Sequence, residues 1–153
     1  MTRYSVSHTK AGVNVADTVM WQLRPGANDD LYIFEIGLSI AVAPTNGPQW
    51  RLSRSATVGT ASTQATPVLE DGGTNPANAR LDLAWSAAST VAAQSANSDI
   101  RRFTTSPTIG NGIVWTWYDK PLCVPTGTGL SITNGNAAGA TLGSLQIYVR
   151  FDE

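Results

Sequence analysis

Large apolar residues recur at every second position between Leu31 and Ala43. Tyr32, Phe34, Ile36, Leu38, Ile40 and Val42 take one set of positions, and Leu31, Ile33, Glu35, Gly37, Ser39, Ala41 and Ala43 take the other. Period two sends alternate side chains to opposite faces, so the segment predicts a long strand with the first set in a core. The small residues Gly37, Ser39 and Ala41 predict that the other face is closely approached, or that the strand bends there. Pro44-Thr45-Asn46-Gly47-Pro48 predicts a turn, because Asn-Gly accepts positive φ. Beyond it, Trp50, Leu52, Arg54, Ala56 and Val58 alternate with Arg51, Ser53, Ser55 and Thr57, which predicts a hairpin partner for the first strand.

The same pattern recurs in shorter pieces. Leu81, Leu83 and Trp85 face one way, against Arg80, Asp82 and Ala84. Ile100–Thr105, Ile113–Tyr118, Leu122–Val124, Leu130–Thr133 and Leu145–Asp152 also read as strands, separated by Gly, Pro and Asn. Residues 59–79 predict a long loop with one short strand near Val68-Leu69, and 86–98 and 134–143 predict uncharged loops. Residues 1–15 hold only Tyr4, Val6 and His8 in alternation, too little for a core, and predict an N-terminal arm lying on the sandwich or on a neighbouring subunit. The whole chain, 1–153, predicts one all-β domain. It is an antiparallel β-sandwich or jelly roll of eight to ten short strands, each with one buried face.

Composition agrees. The chain has 18 Thr and 19 Ala but only two Lys and three Glu, so it lacks the residues that cover long surface helices. Ten basic against eleven acidic groups leave a net charge of −1, without the cationic excess that displaces counterions from a duplex, so nucleic acid is not an expected partner. No apolar run is long enough to span a membrane, no segment reads as a signal peptide, and synthesis in a host cytoplasm is expected.

Little in the sequence promises chemistry. A transition-metal site needs several N, S or O ligands, and His8 is the only histidine. Cys123, the single cysteine, sits between Leu122 and Val124 and predicts a small core residue. No Gly-x-Ser-x-Gly elbow is present. Glu35, within an apolar strand, is a candidate acid or ion ligand, against the plainer expectation of a surface residue paired with an arginine. Asp29-Asp30 is a weak candidate for Ca²⁺. No enzyme activity, cofactor or metal is expected. Trp85, Trp115 and Trp117 line up with aliphatic neighbours and predict core, leaving Trp21 and Trp50 as the tryptophans freer to be exposed. Arg101 and Arg102 are adjacent on a strand, so one of them must face inward or toward a partner. With Arg51 and Arg54 they form a basic cluster suited to subunit contacts. The expected interface residues are therefore Tyr4, Val6, His8, Arg51, Arg54, Arg101 and Arg102.

The C-terminal part carries a resemblance. Ile100-Arg101-Arg102-Phe103 is followed by Thr108-Ile109-Gly110-Asn111-Gly112-Ile113-Val114-Trp115-Thr116-Trp117, then Leu122-Cys123-Val124-Pro125, Gly127-Thr128-Gly129-Leu130 and Ile147-Tyr148-Val149-Arg150-Phe151-Asp152-Glu153. This series resembles small jelly-roll virion structural proteins of tailed bacteriophages. The resemblance implies a capsid decoration (cement) protein on the virion surface, bound to the major capsid protein as a homo-oligomer, often a trimer. A second reading stands beside it, a carbohydrate-binding module or a tail- or fibre-associated receptor-binding domain. Exposed coplanar Trp or Tyr rings favour the second, and an apolar, ring-forming self-interface favours the first.

Overall fold

Alternating apolar positions become strands throughout. The computed structural model describes residues 1–11, 18–55, 57–87, 99–134 and 143–153, and none of these is helical. The strands are β1 (Arg3–Ala11), β2 (Thr18–Arg24), β3 (Leu31–Val42), β4 (Gln49–Ser55), β5 (Thr60–Ala65), β6 (Val68–Leu69), β7 (Arg80–Ala87), β8 (Asp99–Thr104), β9 (Gly112–Thr116), β10 (Leu122–Val124), β11 (Gly129–Asn134) and β12 (Ser144–Asp152). All pairings are antiparallel. A front sheet runs β10-β3-β12-β1-β6, with β9 on the same edge of β3 as β10, and a back sheet runs β5-β7-β2-β11-β4-β8. The two apolar faces close over one core, in which Trp21, Trp50, Phe151, Met20 and Leu31 are the largest fully buried side chains. The chain is an all-β sandwich with twelve strands among the described residues rather than eight to ten. The loop expected over 59–79 contains β5, a Thr/Ser/Gln edge strand with no apolar alternation to betray it. Of the loops expected over 86–98 and 134–143, residues 88–98 and 135–142 lie outside the described residues.

The long strand β3 is in place, but it does not keep one phase. Arg150 of β12 stands opposite Glu35, while Phe151 stands opposite Ile33, so Phe34 is an extra residue. This β-bulge moves the core-facing positions by one. Leu31 and Ile33 face inward before it, and Ile36, Leu38 and Ile40 after it. Tyr32 and Phe34, expected in the core, are only half-buried, and the Arg3 guanidinium lies 4.3 Å above the Phe34 ring. A second bulge, at Met20, lets both Met20 and Trp21 turn inward, since Ile132 faces Trp21 and Thr133 faces Val19. Trp50 is stacked on Phe103 with centroids 6.5 Å apart. The two tryptophans expected to be freest are thus fully buried.

Two other expectations change. The turn at 44–48 carries the chain from the front sheet to the back sheet, so β4 pairs with β11 and β8 and is not a hairpin partner of β3. Residues 3–11 lie on the sandwich, one of the two places expected for the arm, and do so as an integral strand whose Tyr4 and Val6 enter the core. They form β1, which pairs with β12 along its whole length from Arg3–Asp152 to Ala11–Ser144. Tyr4 stacks on Phe151 at 5.8 Å inside the core.

The outward side of the back sheet carries a feature absent from the periodicity. Register aligns Gln64, Asp82, Gln22, Ser131, Ser53 and Asp99 in one row across all six strands. Asp82, Gln22, Ser131 and Ser53 are buried. Asp82 accepts from Arg24 at 3.0 Å and from Gln64 at 2.7 Å. The Gln22 amide donates to the Thr57 carbonyl and accepts from the Gly59 N–H. Ser53 donates to Asp99, which also pairs with Arg102. Buried polar groups are stable only when satisfied, and each buried member of this row has a partner inside or beside it, Ser131 in the Ser55 hydroxyl.

Candidate functional site

The front sheet presents its outward side chains in three transverse rows. The first is Gly112–Ser39–Gln146–Thr9, the second Val114–Gly37–Tyr148–Ser7, and the third Thr116–Glu35–Arg150–Ser5–Val68. Gln146 links its row, accepting from Ser39 at 3.2 Å and donating to Thr9 at 3.3 Å. The Tyr148 ring packs against Gly37, where a Cβ would fall 1.9 Å from the ring. This is the close approach that the small residues of β3 predicted. A groove of about 730 Å³ lies over the first two rows, and a smaller hollow of about 400 Å³ lies on the far side of Tyr148, between Ser5, Glu70 and Arg150.

Beside the groove, Glu35 accepts a hydrogen bond from the Tyr118 hydroxyl, and Tyr118 and then Tyr148 hold its carboxyl below the usual range. Burial, then Glu35, pushes Tyr148 up to about 12. Arg150 stands opposite Glu35 in register, yet its direct partner is Glu70, bound through two contacts of 2.8 Å. That pairing raises the Arg150 pKa and lowers that of Glu70. Glu35 is therefore a tyrosine-bound carboxylate, not an arginine-paired one.

Behind the groove, His8 Nδ1 accepts a long hydrogen bond, 3.4 Å, from the Trp21 indole. Burial and then the charge of Lys10 lower the His8 pKa. Lys10 turns inward between the sheets and donates to the Met20 and Leu83 carbonyls, with its ammonium 5.4 Å from the centre of the Trp85 ring. Because the His8 pKa in the folded state lies below the unfolded value of about 6.5, the unfolded chain takes up the proton more readily. This contribution to stability is complete above about pH 6.5 and is lost as pH falls through the lower folded value. Chemical denaturation at pH 7.5 and pH 5.5 is expected to show this loss, and His8→Asn should flatten it. Equal slopes for both proteins would refute the assignment.

The seven expected interface residues do not form one patch, although Arg51 stands opposite Arg102 across β4 and β8, with Arg101 beside it. Tyr4 and Val6 belong to the core, and Arg51 is buried opposite Thr133. His8 is half-buried. Arg54, Arg101 and Arg102 are exposed: Arg54 donates to the Cys123 carbonyl across the sandwich, Arg101 lies over the Trp117 ring at 5.7 Å, and Arg102 pairs with Asp99. Neither member of the Arg101-Arg102 pair is buried, because β8 is an edge strand from which both side chains reach solvent. Cys123 is half-buried, and Asp29 and Asp30 tie loops by accepting from Asn78 and Thr126. Among the described residues, no three His, Cys, Asp or Glu side chains stand close enough to hold a metal ion. The residues that sequence reasoning missed are Tyr148, Gln146, Ser39 and Thr9. Their only signal was their place on the polar phase of three separate strands. No family model, curated protein or solved structure matches the chain.

Proposed function

We propose that the chain is a non-enzymatic structural protein of a tailed-phage virion, a capsid decoration protein that binds the major capsid protein as a homo-oligomer. The observation that supports this reading is where the polar groups go. Arg3–Asp152 and Arg24–Asp82 join one strand to another, Arg150–Glu70 ties β12 to the turn after β6, and the polar row of the back sheet crosses all six of its strands and is buried on the central four. Polar groups spent in this way stiffen a frame instead of converging on a reacting atom. The subunit contact is assigned to β8. Among the described residues it pairs with β4 alone, leaving one edge of the back sheet open, and it carries Arg101 and Arg102. An open edge is a template for a neighbour, and arginine forks suit its carboxylates and carbonyls.

The test uses the full chain and the double variant Arg101→Glu/Arg102→Glu. Light scattering is expected to give a trimer for the wild type and smaller species for the variant. Sedimentation with isolated capsids is expected to lose the variant, which stays folded by circular dichroism but unfolds at a lower temperature because Asp99 loses its Arg102 partner. A wild-type chain that is monomeric and ignores capsids would remove the proposal. An intact variant oligomer would move the contact away from β8.

A further inference from the structure

The groove on the front sheet is uncharged. Its walls hold Ser7, Thr9, Ser39 and Gln146, its rim holds Val114, and its two titratable neighbours are kept neutral near pH 7 by the effects already described for His8 and Tyr148. The nearby charges are already engaged. Glu35 is held by the Tyr118 hydroxyl, and Arg150 is held by both oxygens of Glu70. Among the described residues, an anionic or cationic ligand thus has no free counter-charge here. An apolar helix or chain would leave the hydroxyl and amide row without water or partner, which is costly.

We propose that this face binds a short, neutral oligosaccharide, with the Tyr148 ring as stacking platform and the row Ser39–Gln146–Thr9 as the edge that reads hydroxyl groups. A sugar ring offers one face of C–H groups and a rim of hydroxyls, each both donor and acceptor. The site offers the complement. Tyr148 is a third exposed, and its ring is packed against Gly37, so little freedom remains to be lost on binding. Gln146 and the hydroxyls of Ser7, Thr9 and Ser39 supply donors and acceptors in both directions. The groove crosses β9, β3, β12 and β1, a width of roughly 14 Å at about 4.8 Å per strand spacing, which suits a chain of a few pyranose rings lying across the strands. Its volume falls within the roughly 300–1,000 Å³ of small-molecule sites. This face is on the opposite sheet from β8, so saccharide binding and subunit contact do not compete.

The experiment probes the intact protein with a printed array of neutral gluco-, galacto-, manno- and N-acetylglucosamine oligomers, together with sialylated and sulfated chains, followed by calorimetric titration of the best oligomer. Neutral oligomers are expected to bind. Tyr148→Ala is expected to weaken that binding at least about tenfold, and Tyr148→Phe, which keeps the ring, to retain most of it. Gln146→Ala, a surface change, gives an independent reading if Tyr148→Ala unfolds, and is expected to weaken binding several-fold. Failure of every neutral oligomer to bind, preference for the charged chains, or binding unchanged in Gln146→Ala and Tyr148→Ala would overturn the proposal. Capsid attachment and oligomer mass are read separately, so a failure here leaves the structural role untouched.

Discussion

Ile33→Asp and Ile36→Asp are each expected to abolish soluble folding, whereas Phe34→Ser, between them, leaves a folded protein. Ile33 and Ile36 have no exposed surface and stand on the two sides of the bulge in β3. A carboxylate placed there has no partner. Its burial costs several kcal/mol against a total stability of about 5–15 kcal/mol. Phe34 points outward, half-buried beneath Arg3, and its loss should cost about 1 kcal/mol, a fraction of a fully buried aromatic. Soluble yield, far-ultraviolet circular dichroism and thermal unfolding distinguish these outcomes. A strand without the bulge predicts the reverse at Phe34, because Phe34 would then share the core phase with Ile36. Unfolding by Phe34→Ser together with tolerance of Ile33→Asp would therefore refute the phase change.

Removal of Arg24 is expected to be far more damaging than removal of Arg150, although both pair with one carboxylate. Asp82 has no exposed side-chain surface, whereas Glu70 keeps part of its own in solvent. Arg24→Met leaves a buried carboxylate with only the Gln64 amide to compensate it, and such broken pairs cost about 3–5 kcal/mol. Arg150→Met breaks a pair at the surface, worth about 0–1 kcal/mol. Urea unfolding of the two variants measures the difference directly. The double variant Arg24→Met/Asp82→Leu should regain much of the loss, because it removes the unpaired charge as well. Equal destabilisation by Arg24→Met and Arg150→Met would show that the row across the back sheet does not depend on its ion pair.

The legible part of the fold was the part set by alternation. β3, β4, β7, β9, β11 and β12 all carry apolar residues at every second position, and each lies in a strand. β5 was not legible, since Thr60-Ala61-Ser62-Thr63-Gln64-Ala65 has no apolar phase and owes its place to backbone pairing with β7. The tryptophans failed for a different reason. Trp21 was judged by its own neighbours, but its burial follows from the phase it shares with Leu23, and the bulge that adds Met20 beside it is a property of two strands in register. The candidate site was less legible still. Ser39, Gln146 and Thr9 are 107 and 137 residues apart in the two hydrogen bonds that join them, so no local window contains the row.

The sequence by itself determined the all-β class, most of the strands and the close approach at Gly37. These follow from side-chain period, turn chemistry and the size of single residues, all of which act over a few positions. Tertiary structure alone decided which strands share a sheet, the phase change in β3, the incorporation of residues 3–11 as β1, the buried polar row and the groove around Tyr148. Each depends on pairing between distant segments. Backbone hydrogen bonds fix that pairing to the nearest residue, and a one-residue difference in it sends a side chain to the opposite face.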